Sequence, residues 1–212
     1  MSIALKSDSS GTSGSILING SDKIVVTSAG NVTAGTFTGV VVGNVTGSLT
    51  NGGSLTSGTA VASTSGTSIS FTNIPSWVKR VTANITGVST SGTSSLRFRI
   101  GPVAGVETSG YLGTSTGFGS TTLASVQFTS GFDLNDGATA AAVRNGSFVF
   151  SLLDSATNTW TMQGIQGQSN TNNACLIGGS KPLAGVLSVL SMTTINGSDT
   201  FDAGSINIMY EG

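Results

Sequence analysis

The chain has 212 residues, of which only 8% are charged, with 8 Lys and Arg against 9 Asp and Glu and no His. A formal net charge of −1 argues against nucleic acid as a partner, because binding to phosphates requires a clustered basic surface. The lack of His excludes Ser-His-Asp and Cys-His catalysis and imidazole metal ligands. The hydrophobic fraction of 37% can build a core, and the polar remainder is mostly Ser, Thr, Asn and Gly. These residues favour strands and turns over helices, so we predict an all-β protein.

The first predicted element is a β-hairpin near the start of the chain. Apolar runs at residues 16–18 and 23–26 flank Asn19-Gly20, and Asn-Gly favours the positive φ angles of a tight hairpin turn. The first ten residues lack the pattern of a secretory signal peptide. No stretch approaches the roughly 18 apolar residues of a membrane span. We therefore expect synthesis in a cytoplasm and no membrane insertion.

A short repeat follows in residues 35–50, GTFTGVVVGNVTGSLT, where large apolar residues alternate with glycines. The large residues recur at every fourth position, at Phe37, Val41, Val45 and Leu49. In a strand these side chains share one face, which a single chain would leave in water. Three copies around one axis would bury them at the centre, with the glycines leaving room between layers. The repeat therefore predicts a trimeric fibrous stalk, followed by a hinge at residues 51–58. The alternatives are a strand at the edge of a sheet in a single chain and a flexible linker, and a linker needs no such period.

Residues 59–212 are predicted to form a β-sandwich of jelly-roll type, separate from an N-terminal part of residues 1–58. Short β-patterned runs alternate here with turn signals, as in sandwich domains. The predicted strands are residues 68–73, 78–88, 96–100, 121–129, 147–153, 159–165, 185–195 and 205–210. The predicted turns are Asp136-Gly137, Asn145-Gly146 and Asn196-Gly197. The aromatic residues predicted to pack in the core are Trp77 and Trp160.

Four side chains of this domain are candidate receptor contacts. Tyr111 and Phe118 lie in residues 101–119, a glycine-rich segment that we predict to be a long surface loop, and such loops are usually functional. Arg97 and Arg99 alternate with core residues on a predicted strand, so they face outward and could bind acidic glycans or phosphates. The alternatives are a loop that packs against a neighbouring subunit and arginines that form a solvated strand face.

No catalytic, metal or cofactor site is predicted. Cys175, the only cysteine, has no basic neighbour that would activate it, so we predict a buried structural thiol. A glycoside hydrolase needs two carboxylates, but several of the nine here fall in predicted turns. The segment 133–136 lacks the ligand spacing of an EF-hand and is also predicted to be a turn.

Several segments resemble bacteriophage fibre proteins. Phage tail fibres contain segments similar to the opening SILINGSDKIVVTSAGNVTAGTFTG. They also contain xΦxG stalk repeats, where Φ is a large apolar residue. These repeats resemble the run NVTAGTFTGVVVGNVTGSLT. Terminal modules of tail or fibre proteins are similar to SISFTNIPSWVKRV, SGYLGTS, NTWTMQG and NGSDTFDAGSINIMYE. The resemblance implies a trimeric virion protein, made in the bacterial host cytoplasm, that takes part in host adsorption or decorates the particle.

Three functions are compatible with a virion protein of this kind. The first is a homotrimeric tail fibre or fibre tip that attaches to a host surface glycan or protein, which the extended stalk favours. The second is a trimeric capsid decoration protein that stabilises the head shell. The third is a glycan-cleaving spike, which the lack of a long repetitive β-helix disfavours. In each case the partners are further copies of the chain and other tail or capsid proteins.

Overall fold

The computed structural model describes the backbone of residues 3–7, 13–18, 21–27 and 32–33, and the complete residues 55–121, 123–137 and 139–212. The chain divides into two compact units, residues 1–47 and 48–212. Every regular element in the described residues is a β-strand, so the all-β prediction is confirmed. The predicted stalk and its axis residues Phe37, Val41, Val45 and Leu49 lie outside the described residues.

The first unit contains one antiparallel sheet with its strands in chain order: β1 (Ile3–Ser7), β2 (Ser13–Ile18), β3 (Ser21–Thr27) and β4 (Val32–Thr33). Strands β2 and β3 pair from Ser13 opposite Thr27 to Ile18 opposite Ser21. The antiparallel pairing predicted for the strands on either side of Asn19-Gly20 is therefore present, whereas the two turn residues lie outside the described residues.

The second unit contains two sheets in which every strand pair is antiparallel. The strands of the larger sheet are β5 (Thr56–Ser57), β6 (Val61–Ala62), β8 (Arg80–Thr90), β10 (Leu112–Phe118), β11 (Leu123–Phe128), β13 (Arg144–Asp154), β14 (Thr159–Gln168), β15 (Ala174–Pro182) and β17 (Phe201–Glu211). Their order is β11-β10-β15-β14-β13-β8-β17-β5, with β6 also paired to β17. The smaller sheet is formed by β7 (Ser68–Phe71), β9 (Leu96–Gly101), β12 (Phe132–Asp133) and β16 (Val189–Thr194), in the order β12-β9-β16-β7.

Aromatic rings from the two sheets meet in one core. Phe98 of β9 lies with its ring centroid 4.7 Å from that of Phe148 on β13. Phe132 of β12 lies edge-on to Phe150, at 5.8 Å between centroids. Such tilted and edge-on pairs add about 0.5–1.5 kcal/mol each beyond the area they bury. The inward alternation predicted for Leu96, Phe98 and Ile100 is confirmed, since all three are fully buried.

Three local predictions differ from the structure. Residues 101–119 are not one long loop, because Leu112–Phe118 forms β10 between β11 and β15. Asn145-Gly146 lies inside β13 at a register shift, where the Asn145 side chain accepts a hydrogen bond from Gly87 N at 2.9 Å. Part of the predicted hinge, Thr56–Ser57, is a strand paired with β17. The turn predicted at Asn196-Gly197 is confirmed, with Gly197 at a φ of 69°.

Candidate recognition and assembly surface

The second unit has two distinct ends along its strands. The chain enters the larger sheet where Thr56 pairs with Tyr210, next to the pair Arg80 and Glu211; we call this the entry end. From there the chain runs antiparallel to β17, until Phe201 N donates to Gly66 O at 2.8 Å. The far end is therefore the end at which Phe201 begins β17.

Four connecting segments form a hydrogen-bonded cluster at the far end. They are residues 91–95, 134–143 without 138, 169–173 and 195–200. The first and last are joined by Ser91 N, which donates to Thr200 O at 2.8 Å. The middle two are joined by Val143 N, which donates to Asn170 Oδ1 at 3.0 Å. Residues 91–95, 169–173 and 195–200 are rich in Ser, Thr and Asn, so the far end presents hydroxyl and amide groups to solvent.

A buried ion pair holds this cluster from inside. The Asp136 carboxylate accepts from Arg144 Nε at 2.6 Å, and both side chains have no solvent exposure. Asp136 also accepts from Ser95 Oγ at 2.6 Å and from Gln166 Nε2 at 2.9 Å. Asp136 was predicted only as a turn residue, whereas the structure also places its side chain in this buried ion pair. Its carboxylate is the centre of a network that connects residues 91–95 and 134–137 to strands β13 and β14.

Tyr111 is not a surface residue, so its predicted role as a receptor contact is not supported. Its ring is fully buried, and its hydroxyl accepts from Ile100 N at 3.0 Å and donates to Glu107 O at 2.9 Å. Burial raises the pKa of Tyr111 to about 12. Tyr111 therefore anchors the segment between β9 and β10 to the core.

Glu107 and Lys181 complete this anchor near the entry end. Lys181 is buried, with its Nζ at 5.6 Å from the Tyr111 ring centroid, and it forms an ion pair with Glu107. Glu107 Oε1 also accepts from Ala184 N at 2.7 Å. Burial alone would raise the pKa of Glu107, but the hydrogen bonds from Lys181 and Ala184 outweigh it and lower the pKa below its ordinary value.

Arg97 and Arg99 are also less accessible than predicted. Arg97 is buried in an ion pair with Asp133, its cross-strand neighbour, and its Nη2 donates to Asp133 Oδ2 at 2.8 Å. Arg99 is half-buried, and its Nε donates to Ser130 O at 2.9 Å. Asp133 is therefore an ion-pair partner rather than a turn residue alone. Both guanidinium groups connect strand β9 to the segment around β12, and the buried guanidinium of Arg97 is not free for a receptor.

Phe118, the fourth predicted contact, lies on an exposed apolar surface that the sequence prediction missed. Phe118 is 44% exposed on β10, and its partners on the outer side of the sheet are Leu123 at 70%, Leu176 at 52% and Ile165 at 60%. Phe118 pairs with Leu123, and Leu176 pairs with Ile165. We call these four side chains the outer apolar face. Lys181 is the only charged residue in strands β10, β11, β14 and β15, and it is buried.

The remaining aromatic and thiol predictions can be compared directly with burial. Trp160 is buried in the core, as predicted, whereas Trp77 is 39% exposed and packs edge-on against Tyr210 at 6.5 Å. Cys175 is a fully buried free thiol, which confirms the structural interpretation. Burial raises its pKa to about 12.

Comparison with known protein families, with curated proteins and with solved structures finds no match to this chain. Within the described residues, no helix has the length and apolar character needed to cross a membrane. The same residues contain no group of three or more potential metal-binding side chains. The features of the second unit that bear on function are its two ends and the outer apolar face.

Proposed function

We propose that the protein is a structural component of a bacteriophage particle: a homotrimeric tail fibre or fibre tip that attaches to the host surface. The observation that carries this proposal is the polarity of the second unit. The chain enters at one end, beside Tyr210, and the cluster of polar segments lies at the other. In a trimeric fibre with a jelly-roll-like sandwich, these polar segments would form the surface that meets the host.

The composition of the far end suits binding to a glycan or protein surface. Its Ser, Thr and Asn side chains supply hydrogen-bond donors and acceptors, and the Asp136 network fixes their supporting backbone. In recognition sites, the binding groups typically lie on loops that a rigid scaffold holds in place. Three copies in one trimer also multiply weak contacts, so each site can be shallow and still hold a cell.

Assembly is tested by light scattering on the full chain, with an expected mass of three 21.0-kDa chains. Phe37→Asp and Val45→Asp should each disrupt the trimer, because each would place three like charges near one axis. Thr46→Asp is the matched control, since Thr46 alternates to the opposite face of the repeat. A monomer in the unmodified protein, or normal trimers from both variants, contradicts the proposed stalk.

Host attachment is tested by adsorption to host cells. Ser198→Trp at the far end should weaken adsorption, because a bulky ring there blocks the surface. Ser155→Trp, in the turn between β13 and β14 at the entry end, should leave adsorption unchanged. Equal adsorption by the two variants argues against far-end recognition.

A capsid decoration protein is the second candidate. The outer apolar face favours it, because an exposed apolar surface can pack on a capsid shell. Locating the protein in electron-microscopy maps of the virion separates the two: density at the tail supports a fibre, and density on the capsid faces supports decoration.

A further inference from the structure

Two glycines beside the outer apolar face have open space where a side chain would lie. A Cβ atom built on Gly167 or on Gly178 meets nothing within 4 Å. Neither residue has a positive φ, so the backbone does not require glycine at these positions. Glycine in a strand also lowers stability, because it adds no packing and loses more chain entropy on folding. The space outside these two glycines therefore needs an explanation from outside the chain.

The glycines flank a ridge formed by the two central residues of the outer apolar face. Ile165 and Leu176 are cross-strand neighbours. Gly167 follows Ile165 by two residues and Gly178 follows Leu176 by two, so each glycine shares the outward side of its strand. The surface thus has a large apolar ridge beside two empty grooves. The predicted stalk repeat shows the same alternation of large residues and glycine on one face.

We propose that the outer apolar face is the contact between the second units of neighbouring chains in the homotrimer. The Ile165–Leu176 ridges of the three chains meet at one level along the axis, and the grooves over Gly167 and Gly178 on either side of that level let the neighbouring chains approach closely. A second copy fits this surface because no exposed charge lies on its four strands, so identical faces meet without repulsion. Charged residues are depleted at the centre of protein interfaces in the same way.

The edge of the sheet supports the same occupant. Strand β11 is the edge strand, and five of its six residues are exposed. It carries no Lys, no Pro and no register shift, the usual protections against edge-to-edge association. A neighbouring chain packed beside it would cover both this edge and Leu123.

The size of the face is consistent with a tethered contact. Four strands about 4.8 Å apart and a length of about 23 Å give a flat area of roughly 400 Å². A stable interface between free proteins buries about 800 Å² per partner. The face therefore needs the high local concentration that a trimeric stalk supplies. In this respect the inference rests on the proposed function.

The direction of the strands is compatible with a threefold axis. All four strands run between the entry end and the far end, because each is antiparallel to its neighbours in a sheet that includes β17. An axis along these strands brings three outer faces together and leaves the far-end segments free.

Cysteine cross-linking of the full chain tests the contact. Ile165→Cys should give disulfide-linked dimers within the trimer under mild oxidation, because symmetry places the same residue of neighbouring chains close to the axis. Val103→Cys, on a connecting segment and 86% exposed, is the control that should not cross-link. The native Cys175 gives no background, since it is fully buried.

Alanine substitutions test the grooves. Gly167→Ala with Gly178→Ala should lower the cross-linking of Ile165→Cys about tenfold, because overpacking a complementary contact is unfavourable. The same pair should not lower the thermal stability of the second unit, where each methyl group has room. A trimer in which Ile165→Cys does not cross-link overturns this contact and leaves the fibre proposal standing. A monomeric chain, by contrast, overturns both. Unchanged cross-linking in the alanine variant refutes the groove packing.

Discussion

Replacing Asp136 should cost more stability than any surface charge change. In Asp136→Asn the buried Arg144 guanidinium keeps its charge and loses its counter-ion, which lies at 2.6 Å with both side chains fully buried. Removing one partner of a buried ion pair typically lowers the free energy of unfolding by about 3–5 kcal/mol. For a domain of this size, 1 kcal/mol shifts Tm by about 2–4 °C, so the expected loss is about 6–20 °C. Thermal unfolding followed by circular dichroism measures it.

A second substitution shows whether the uncompensated charge is the cause. Arg144→Met in the Asp136→Asn background removes that charge, while the introduced amide keeps an oxygen that can accept from Ser95 or Gln166. The double variant should therefore be more stable than Asp136→Asn alone. Arg144 Nη2 has no hydrogen-bond partner within the described residues, so removing the guanidinium also removes an unsatisfied donor.

The matched control is the exposed pair of Arg80 and Glu211, at 3.8 Å with both side chains near half exposure. Glu211→Gln should cost at most about 1 kcal/mol, as is usual for surface pairs. If Asp136→Asn costs no more than Glu211→Gln, or if the double variant is the least stable, the reasoning about the buried charge is wrong.

Two further predictions concern buried polar groups. Tyr111→Phe leaves Ile100 N without its partner at 3.0 Å and should cost about 1–3 kcal/mol in chemical denaturation. Unchanged stability would show that Ile100 N finds another acceptor. Cys175 should not react with a thiol reagent at pH 8 in the folded protein and should react fully in denaturant, because the thiol is buried with a pKa of about 12. Rapid labelling of the native chain would contradict its burial.

The sequence predicted the strand character well because periodicity reports burial on one side of a sheet. Residues 96–100 alternate strictly, and the structure buries the three apolar ones. The same signal failed for β15, where Gly178 and Gly179 interrupt the apolar pattern. It also failed for β10, because this strand lies in the glycine-rich segment 101–119, which suggested a loop. These two segments form strands because each pairs with a strand on both of its sides. A local sequence pattern does not contain that information.

The candidate site was predicted less well, because alternation gives the side of a strand but not what covers it. Arg97 does alternate with core residues, yet Asp133 on β12 pairs across from it and removes it from solvent. Ile165 and Leu176 look like core residues in the sequence. They are exposed because they lie on the side of the larger sheet that faces away from the smaller one. Only the pairing of β14 with β15 brings them together.

Glu107 should stabilise the segment between β9 and β10 in a pH-dependent way. Its pKa in the folded chain lies below the ordinary value of 4.5, because Lys181 and Ala184 N hold the charged form. A lowered pKa contributes stability that is present above the unfolded-state value and is lost as the pH falls through the folded-state value. Comparing wild type with Glu107→Gln isolates this group, since all other carboxylates titrate in both proteins. Wild type should be the more stable at pH 7, and the difference in Tm should shrink steadily below about pH 4.5. A difference that stays constant from pH 7 to pH 3 would show that Glu107 acts through packing and neutral hydrogen bonds, not through its charge on Lys181.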